Sequence, residues 1–304
     1  MMSWANLAAW SVMAIACAPV VRAATDHTFD AGGTTRRYHE HLPPDYDATL
    51  RTPVLLVLHD AGQTWSEVEK LIDADHFADA HRLIAVYPEG LYGRWHAIAD
   101  GAAVGREHGD DAAFLFGLLD ELERKHKLDL LRIWAIGIGE GGFMAFRLGC
   151  EHPERITAAV GIGASMPVAL FDRCRPVRPM HILEFNGTAD PVMPYDGGAT
   201  RGRYKVAVLS ASDSIKAWAE LDGCRNGPAI QPANDAGAGA IVRGTSYSDC
   251  GEDVNVVLYT MVGLAHGWPD GARSRSADQS SSSRRASDLL WDFFRISALP
   301  MAPH

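Results

Sequence analysis

Short runs of apolar residues recur along the chain and alternate with segments of helical periodicity. The runs that predict strands cover residues 54–58, 83–87, 133–136, 158–160, 182–185 and 254–261. Strands that are apolar at nearly every position are typical of a parallel sheet covered on both faces. Between two of them, apolar residues recur at helical spacing behind a pair of N-terminal acids: Phe114, Leu115, Leu118, Leu119 and Leu122. The alternation predicts an α/β fold with a mostly parallel, doubly wound sheet flanked by helices.

The two ends of this pattern differ from its middle. Residues 28–41 predict an antiparallel entry hairpin around residues 31–33, and the apolar positions after residue 288 predict a closing helix. Residues 272–287 are of low complexity and are interpreted as a surface loop, and a second low-complexity stretch covers residues 226–239. No internal repeat and no linker divides the chain, so a single domain is expected over residues 25–304.

The first 24 residues have the composition of a secretory signal. They are almost uncharged, contain an apolar run over residues 10–21 and end on small residues, which predicts cleavage near Ala23 or Ala24 and a secreted or periplasmic protein. No Lys or Arg precedes the apolar run, and Cys17 leaves lipid attachment open. An N-terminal membrane anchor is the alternative, although the run is shorter than the ~20 residues that a span needs.

The cysteines agree with export. Beyond Cys17 the chain has four, which allow three pairings: Cys150, Cys174, Cys224 and Cys250. Local closure favours joining the first to the second and the third to the fourth, with buried free thiols as the other interpretation.

Composition narrows the class of function. The 304 residues are 47% hydrophobic and 22% charged, with a formal net charge of −10. The acids are scattered and no basic stripe offsets them, which disfavours nucleic acid as a partner. We expect a monomer without a cofactor and without a membrane partner.

Polar and glycine-rich segments follow four of the predicted strands, at residues 59–64, 137–142, 186–191 and 263–269. In a doubly wound sheet, functional groups gather beyond the carboxyl ends of the strands. α/β-Hydrolases place a nucleophile on a glycine-flanked turn between strand and helix, then an acid, then a histidine. Position 139, Asp190 and His266 follow that order. The pattern predicts His266 as general base and Asp190 as the group that orients it.

A larger set of motifs falls in register with these segments. It comprises Leu58-His59 with Gly62-Gln63-Thr64, Val86-Tyr87-Pro88-Glu89-Gly90, Trp95, Asp110-Asp111 with Phe114-Leu115, Gly141-Gly142 with Met144-Ala145-Phe146-Arg147-Leu148, Thr188-Ala189-Asp190-Pro191, and His266-Gly267-Trp268-Pro269. In this order the chain resembles secreted polyhydroxybutyrate depolymerases and the related feruloyl and acetylxylan esterases, over about residues 37–294. The resemblance implies Ser-His-Asp hydrolysis of carboxylic esters and disulfide bonds.

Two residues depart from that family inside the catalytic machinery. Gly139 stands where the family has its serine, and Asp60 follows His59 where the family usually has glycine. The first change removes the atom that forms the acyl-enzyme. The second adds a carboxylate to the oxyanion region of Asp60, Ala61 and Glu140, where negative charge would develop. We therefore expect ester hydrolysis to be impaired or lost at a naturally altered site. A water activated by His266 beside an empty position 139 is a slow alternative route.

An oxidoreductase, a metalloenzyme and a non-catalytic binding protein are the other classes to consider. Residues 137–142 also fit G-x-G-x-x-G, but residues 158–166 lack the acid that a dinucleotide site needs, which disfavours an oxidoreductase. The 13 histidines include no H-E-x-x-H, so no metal site is expected. The main alternative is a non-catalytic protein that binds an ester polymer or plant-wall fragment. The predicted substrate pocket contains four residues: His59, Trp95, Tyr195 and Trp268.

Overall fold

A computed structural model describes residues 25–98, 110–201, 205–231, 234–235, 241–270 and 285–298. The predicted signal peptide lies outside the described residues. The strands are β1 Thr25–Ala31, β2 Thr34–His41, β3 Thr52–Leu58, β4 Ile84–Pro88, β5 Leu128–Ile138, β6 Ala158–Ile162, β7 His181–Gly187, β8 Gly198–Ala199, β9 Ala207–Val208, β10 Asn226–Ile230, β11 Asn234–Asp235, β12 Ile241–Ser248 and β13 Val256–Val262. The α-helices are α1 Trp65–Ile72, α2 Ala74–His81, α3 Asp111–Lys125, α4 Glu140–Glu151, α5 Val168–Phe171, α6 Ala211–Leu221 and α7 Ala286–Phe294. Two short 3₁₀ turns cover Leu91–Gly93 and Gly251–Asp253.

One sheet organises the molecule, in the order β1-β2-β4-β3-β5-β6-β7-β13-β12-β10, with β11 paired to β12. The strands from β4 to β13 in this order run parallel, and antiparallel strands extend the sheet at both edges. Every strand predicted from an apolar run is present. The prediction of a mostly parallel sheet flanked by helices is confirmed.

The central strands β3, β4 and β6 are apolar at nearly every position because both faces of the sheet are covered. Along β3, Leu56 and Leu58 belong to one hydrophobic cluster, while Leu55 and Val57 belong to a second. The helices α3, α4 and α6 supply the first cluster, and α1, α2 and α7 supply the second. Alternate side chains of a strand point to opposite faces, so a continuous apolar run serves two layers of helix at once.

The antiparallel edge beyond β13 is the part that the sequence did not predict. Residues 226–230, which the sequence marks only as part of a low-complexity stretch, form β10, which pairs with β12 and is exposed along its length. An exposed edge strand needs no apolar run, and Asn-Gly-Pro carries little strand propensity. Its ladder depends instead on the partner strand β12.

Two disulfides brace the helical layer on one side of the sheet. Cys150 at the end of α4 bonds to Cys174, and Cys224 after α6 bonds to Cys250. This is the pairing that local closure favours. Within the described part of the chain, each helix is too short or too polar to cross a membrane.

Candidate active site

Gly139 lies on a sharp turn between β5 and α4. Its backbone has φ 51° and ψ −115°, a left-handed conformation that favours glycine. The flanking glycines are required by close packing: a Cβ on Gly137 would lie 2.1 Å from the carbonyl carbon of Gly141, and one on Gly141 would lie 2.2 Å from the carbonyl oxygen of Leu58. The geometry is that of a nucleophile elbow with glycine at its centre.

Asp190 and His266 meet at the same edge of the sheet. Asp190 follows β7 and His266 follows β13, which are neighbouring parallel strands. Asp190 Oδ2 lies 2.6 Å from Nδ1 of His266, and its Oδ1 accepts the backbone N–H groups of Val192 and Met193 at 2.7 Å each. These bonds fix the carboxylate, so the imidazole is held with Nε2 facing the elbow.

The side chain of Asp60 occupies the space next to the elbow. A Cβ built on Gly139 would lie only 2.1 Å from Asp60 Oδ1 and 2.5 Å from Cγ. The prediction of an empty position opposite His266 is therefore wrong. Glycine at 139 is what allows the carboxylate of Asp60 to enter, because any larger residue would collide with it.

The two oxygens of Asp60 have different partners. Oδ1 accepts the backbone N–H of Glu140 at 2.9 Å and that of Ala61 at 2.7 Å, while Oδ2 lies 3.2 Å from Nε2 of His266. In a serine hydrolase, an N–H after the elbow and one from the loop after β3 form the oxyanion hole. Here both donors are already bound to a carboxylate of the same chain. The expectation that Asp60 disturbs the oxyanion region has a concrete structural basis.

His266 is thus held between two carboxylates. Burial by itself lowers the pKa of His266, but the hydrogen bonds and charges of Asp190 and Asp60 outweigh burial and raise it to about 9. Burial likewise opposes ionisation of Asp60, yet its bonds to His266 and to the N–H of Glu140 bring its pKa below the usual value. At neutral pH His266 is therefore an imidazolium, and Asp60 beside it is ionised. An imidazolium cannot act as a general base in the resting protein.

Two supporting residues were missed from the sequence. Gly163 follows β6 with φ 51°, and a Cβ there would lie 2.8 Å from Nδ1 of His266, so glycine makes room for the imidazole. Arg94 binds the side chain of Glu140 through two bonds of 2.8 and 2.5 Å, which holds the first residue of α4 in place. A lone glycine or arginine gives no sequence signal of this kind.

The predicted pocket residues have mixed outcomes, and two need correction. His59 is 1% exposed, with Nδ1 donating to the carbonyl of Asp60 and Nε2 accepting the N–H of Gly90, so it supports the loop from beneath. Trp268 is 5% exposed and packs edge-on against Phe185 in the core. His59 is held by its backbone hydrogen bonds and Trp268 by packing in the core, and neither could be read from a position beside a polar loop.

Trp95 is as buried as Trp268, at 4% exposed, whereas Tyr195 is partly accessible to solvent. Trp95 lines a cleft of about 510 Å³ next to Glu140 while its Nε1 donates to the carbonyl of His59. Tyr195 is half-buried and its hydroxyl bonds Thr260 at 2.8 Å. The other residues lining the cleft include Arg94, Phe143, Val168, Ala169 and Lys205. The cleft therefore combines apolar walls with charged side chains of both signs, since Glu140 and Asp172 line it as well.

Among the described residues, neither Ser165 nor a metal-binding cluster can take the place of a nucleophile at position 139. Ser165 is completely buried, with its Oγ 3.4 Å from Nδ2 of Asn186. In the part of the chain that the structure describes, no group of three or more His, Cys, Asp or Glu side chains is arranged to hold a metal ion. The side chains that meet at the elbow are therefore Asp60, Asp190 and His266.

The known proteins that this chain resembles are esterases. The chain is 30% identical over 251 residues to the candidate esterase NocK of Nocardia uniformis subsp. tsuyamanensis, which covers 79% of this chain and 72% of that protein. It is 29% identical over 197 residues to feruloyl esterase B of Piromyces equi, spanning 63% of this chain and 32% of the relative. No family model matches the chain.

The fold is shared with a solved esterase. The acetyl xylan esterase from Aspergillus awamori superposes with a TM-score of 0.63 at 12% sequence identity, covering 89% of this chain and 99% of that one. At this identity the likeness establishes the fold, which is that of the α/β-hydrolases.

Proposed function

Because this chain belongs to the esterases of the α/β-hydrolase fold, we propose that it binds a carboxylic ester at the strand ends but has lost serine-dependent hydrolysis. The single observation that carries the proposal is the position of Asp60. Its carboxylate takes both oxyanion donors, from Glu140 and Ala61, and fills the place that a serine at 139 would need.

Two separate contributions to serine-dependent catalysis are lost, the nucleophile and the oxyanion hole. Without a hydroxyl at 139 there is no acyl-enzyme, and with the donors occupied by an anion a second negative charge is repelled from the same place. Removing one oxyanion donor alone costs a serine hydrolase about 10²–10³ in kcat. The raised pKa of His266 adds a third obstacle, since the base is protonated at neutral pH.

The ester is proposed to be a feruloyl-type or acetylated plant-wall fragment. The names of feruloyl esterase B and of the acetyl xylan esterase support this class, and so does the cleft beside Glu140, whose aromatic and aliphatic walls suit an aromatic acyl group. Polyhydroxybutyrate is the other candidate, from the resemblance of the motifs. Export to an oxidising compartment fits the two disulfides, Cys150–Cys174 and Cys224–Cys250.

Hydrolysis of p-nitrophenyl acetate by four proteins tests the proposal: the unaltered chain, Gly139→Ser, Asp60→Gly, and both changes together. Serine alone collides with Asp60, and glycine at 60 alone leaves no nucleophile, so only the double variant should gain activity. We expect it to exceed the unaltered protein by at least about 10²-fold, the value of one oxyanion donor. A fluorophosphonate should label only the double variant. Ordinary esterase rates in the unaltered protein, abolished by fluorophosphonate, would contradict the proposal.

The second candidate function is ester binding without any turnover, favoured by the cleft that Trp95 lines. Methyl ferulate should then quench the tryptophan fluorescence of the unaltered protein saturably. A Trp95→Phe variant provides the matched control for the source of the signal. If the fluorescence does not respond and calorimetry detects no heat of binding, the ester-binding part of the proposal is wrong.

A further inference from the structure

The contacts of the Asp60 carboxylate are those expected of a covalent nucleophile, rather than of a side chain that only fills space. One oxygen sits between two backbone donors, and the other faces an imidazole that a second carboxylate orients. From this placement we propose that Asp60 attacks an alkyl carbon bearing an anionic leaving group, and that His266 then delivers water to the resulting ester of Asp60. This activity goes beyond the proposed function and does not depend on it.

Geometry supports the first step. Oδ2 of Asp60 lies at the elbow, 3.2 Å from Nε2 of His266, and the side chain remains 18% exposed. A carboxylate oxygen has two lone pairs, of which His266 engages one. Attack by the other forms a C–O bond to the alkyl carbon while the bond to the leaving group breaks, and that group departs as an anion with the electron pair. Carboxylates act as nucleophiles in several enzyme classes.

The second step uses the two backbone N–H groups that would form the oxyanion hole of a serine hydrolase. Water attacks Cγ of the Asp60 ester while His266 takes a proton from it. The negative charge that develops on Oδ1 is held by the N–H groups of Glu140 and Ala61, which already bind that oxygen. Collapse releases the alcohol, which receives the proton from His266, and restores the carboxylate. The sum is alkyl halide plus water giving alcohol, halide and a proton.

The protonation state of His266 changes in the direction that this sequence needs. In the resting protein Asp60 is one of the two acids that raise the pKa of His266. Esterification removes the negative charge of Asp60 and its acceptance of the imidazole proton, so the pKa falls towards neutrality. His266 becomes able to act as a base only after the covalent intermediate has formed.

The same geometry limits the substrate to carbons whose leaving group needs no proton. In an in-line displacement the leaving group departs on the side opposite to Oδ2. His266 lies beside Oδ2 itself, so it cannot also protonate a group on the far side of the carbon. A primary haloalkane satisfies this requirement, whereas an epoxide, which leaves as an alkoxide, needs an acid there.

Release of bromide from 1-bromobutane is the first measurement. We expect the unaltered protein to release bromide at least about tenfold faster than Asp60→Asn, because removal of a covalent nucleophile costs far more than this in other hydrolases. Asparagine keeps the acceptor for Glu140 and Ala61, so the fold should persist. Asp120→Asn changes an exposed acid on α3 and serves as the matched control, expected to match the unaltered protein. Equal release from the unaltered protein and Asp60→Asn overturns the proposal.

Two further measurements identify the intermediate. His266→Gln should stop at the first step, and peptide mass spectrometry should find one butyl group on Asp60. In a single turnover of the unaltered protein in heavy-oxygen water, the label should enter the carboxylate of Asp60. Label in the butanol instead, or no butyl group in His266→Gln, would refute covalent attack even if Asp60→Asn failed to fold. Hydrolysis of p-nitrophenyl acetate by the unaltered protein would contradict the proposed function alone.

Discussion

His266 should make the stability of the fold depend on pH in the alkaline range. Its pKa is raised from 6.5 to about 9 by Asp190 and Asp60, in spite of burial. The folded state therefore binds this proton more tightly than the unfolded chain does. The stabilisation is present in full below pH 6.5 and is lost as the pH rises through about 9. Replacing His266 by glutamine removes the titrating group and should remove this part of the pH dependence.

The size of the effect follows from the pKa difference. A shift of about 2.5 units between unfolded and folded states corresponds to about 3.4 kcal/mol at about 1.4 kcal/mol per unit. Because the unfolded histidine is already partly deprotonated at neutrality, about 2.5 kcal/mol of this should be lost between about pH 7 and pH 10. The side chain is 16% exposed, so solvent screening leaves most of this value in place.

Urea unfolding at a series of pH values measures the effect when it is expressed as a difference between proteins. Burial raises the pKa of Glu184 and of Asp222 to about 8 each, so the ionisation of these acids also makes the fold less stable as the pH rises. They are present in both proteins and cancel when His266→Gln is subtracted from the unaltered chain. His152→Gln, at an exposed histidine paired with Glu154, provides the control. A flat difference between pH 7 and 10, or a proton resonance assigned to His266 that titrates near 6.5, would refute the reasoning.

Two other predictions concern stability. Gly163→Ala should destabilise the fold by about 1–3 kcal/mol and lower the pKa of His266, because its Cβ meets the imidazole at a positive φ. Gly223→Ala has a similar φ and nothing within 4 Å, so its smaller loss in a thermal melt isolates the contact, and equal losses would deny it. Removal of the Cys224–Cys250 bridge by a double change to alanine should cost about 3.5 kcal/mol for a separation of 26 residues. An unchanged urea midpoint under oxidising conditions would show that the bridge does not stabilise the fold.

The chain's apolar runs were sufficient to predict the central sheet. Strands buried on both faces must be apolar at nearly every position, so β3 to β7 and β13 leave a strong signal. The glycines that flank the elbow were equally easy to recognise in the sequence, since side chains at Gly137 and Gly141 would overlap backbone atoms. The edge strand β10 left no such signal, because its residues are exposed and its pairing is decided by β12.

The pocket predictions depended on information that the sequence does not hold. An aromatic ring after a strand can face either solvent or the core, and Trp95 and Trp268 look alike in that respect. Both rings are buried in the structure, at 4% and 5% exposed; Trp268 packs against Phe185, while Trp95 also lines the cleft beside Glu140. Gly163 is the reverse case, an unremarkable glycine in the sequence that makes room for His266.

The sequence by itself determined that glycine stands at position 139, between the flanking glycines 137 and 141, and that an acid follows His59. Whether these two changes were related could only be decided by the tertiary structure. Residues 60 and 139 are about eighty positions apart, and they meet because β3 and β5 are neighbouring parallel strands whose carboxyl ends share one edge. There the carboxylate of Asp60 takes the space that glycine leaves, and the backbone donors and His266 hold it. The two departures therefore form a single altered site.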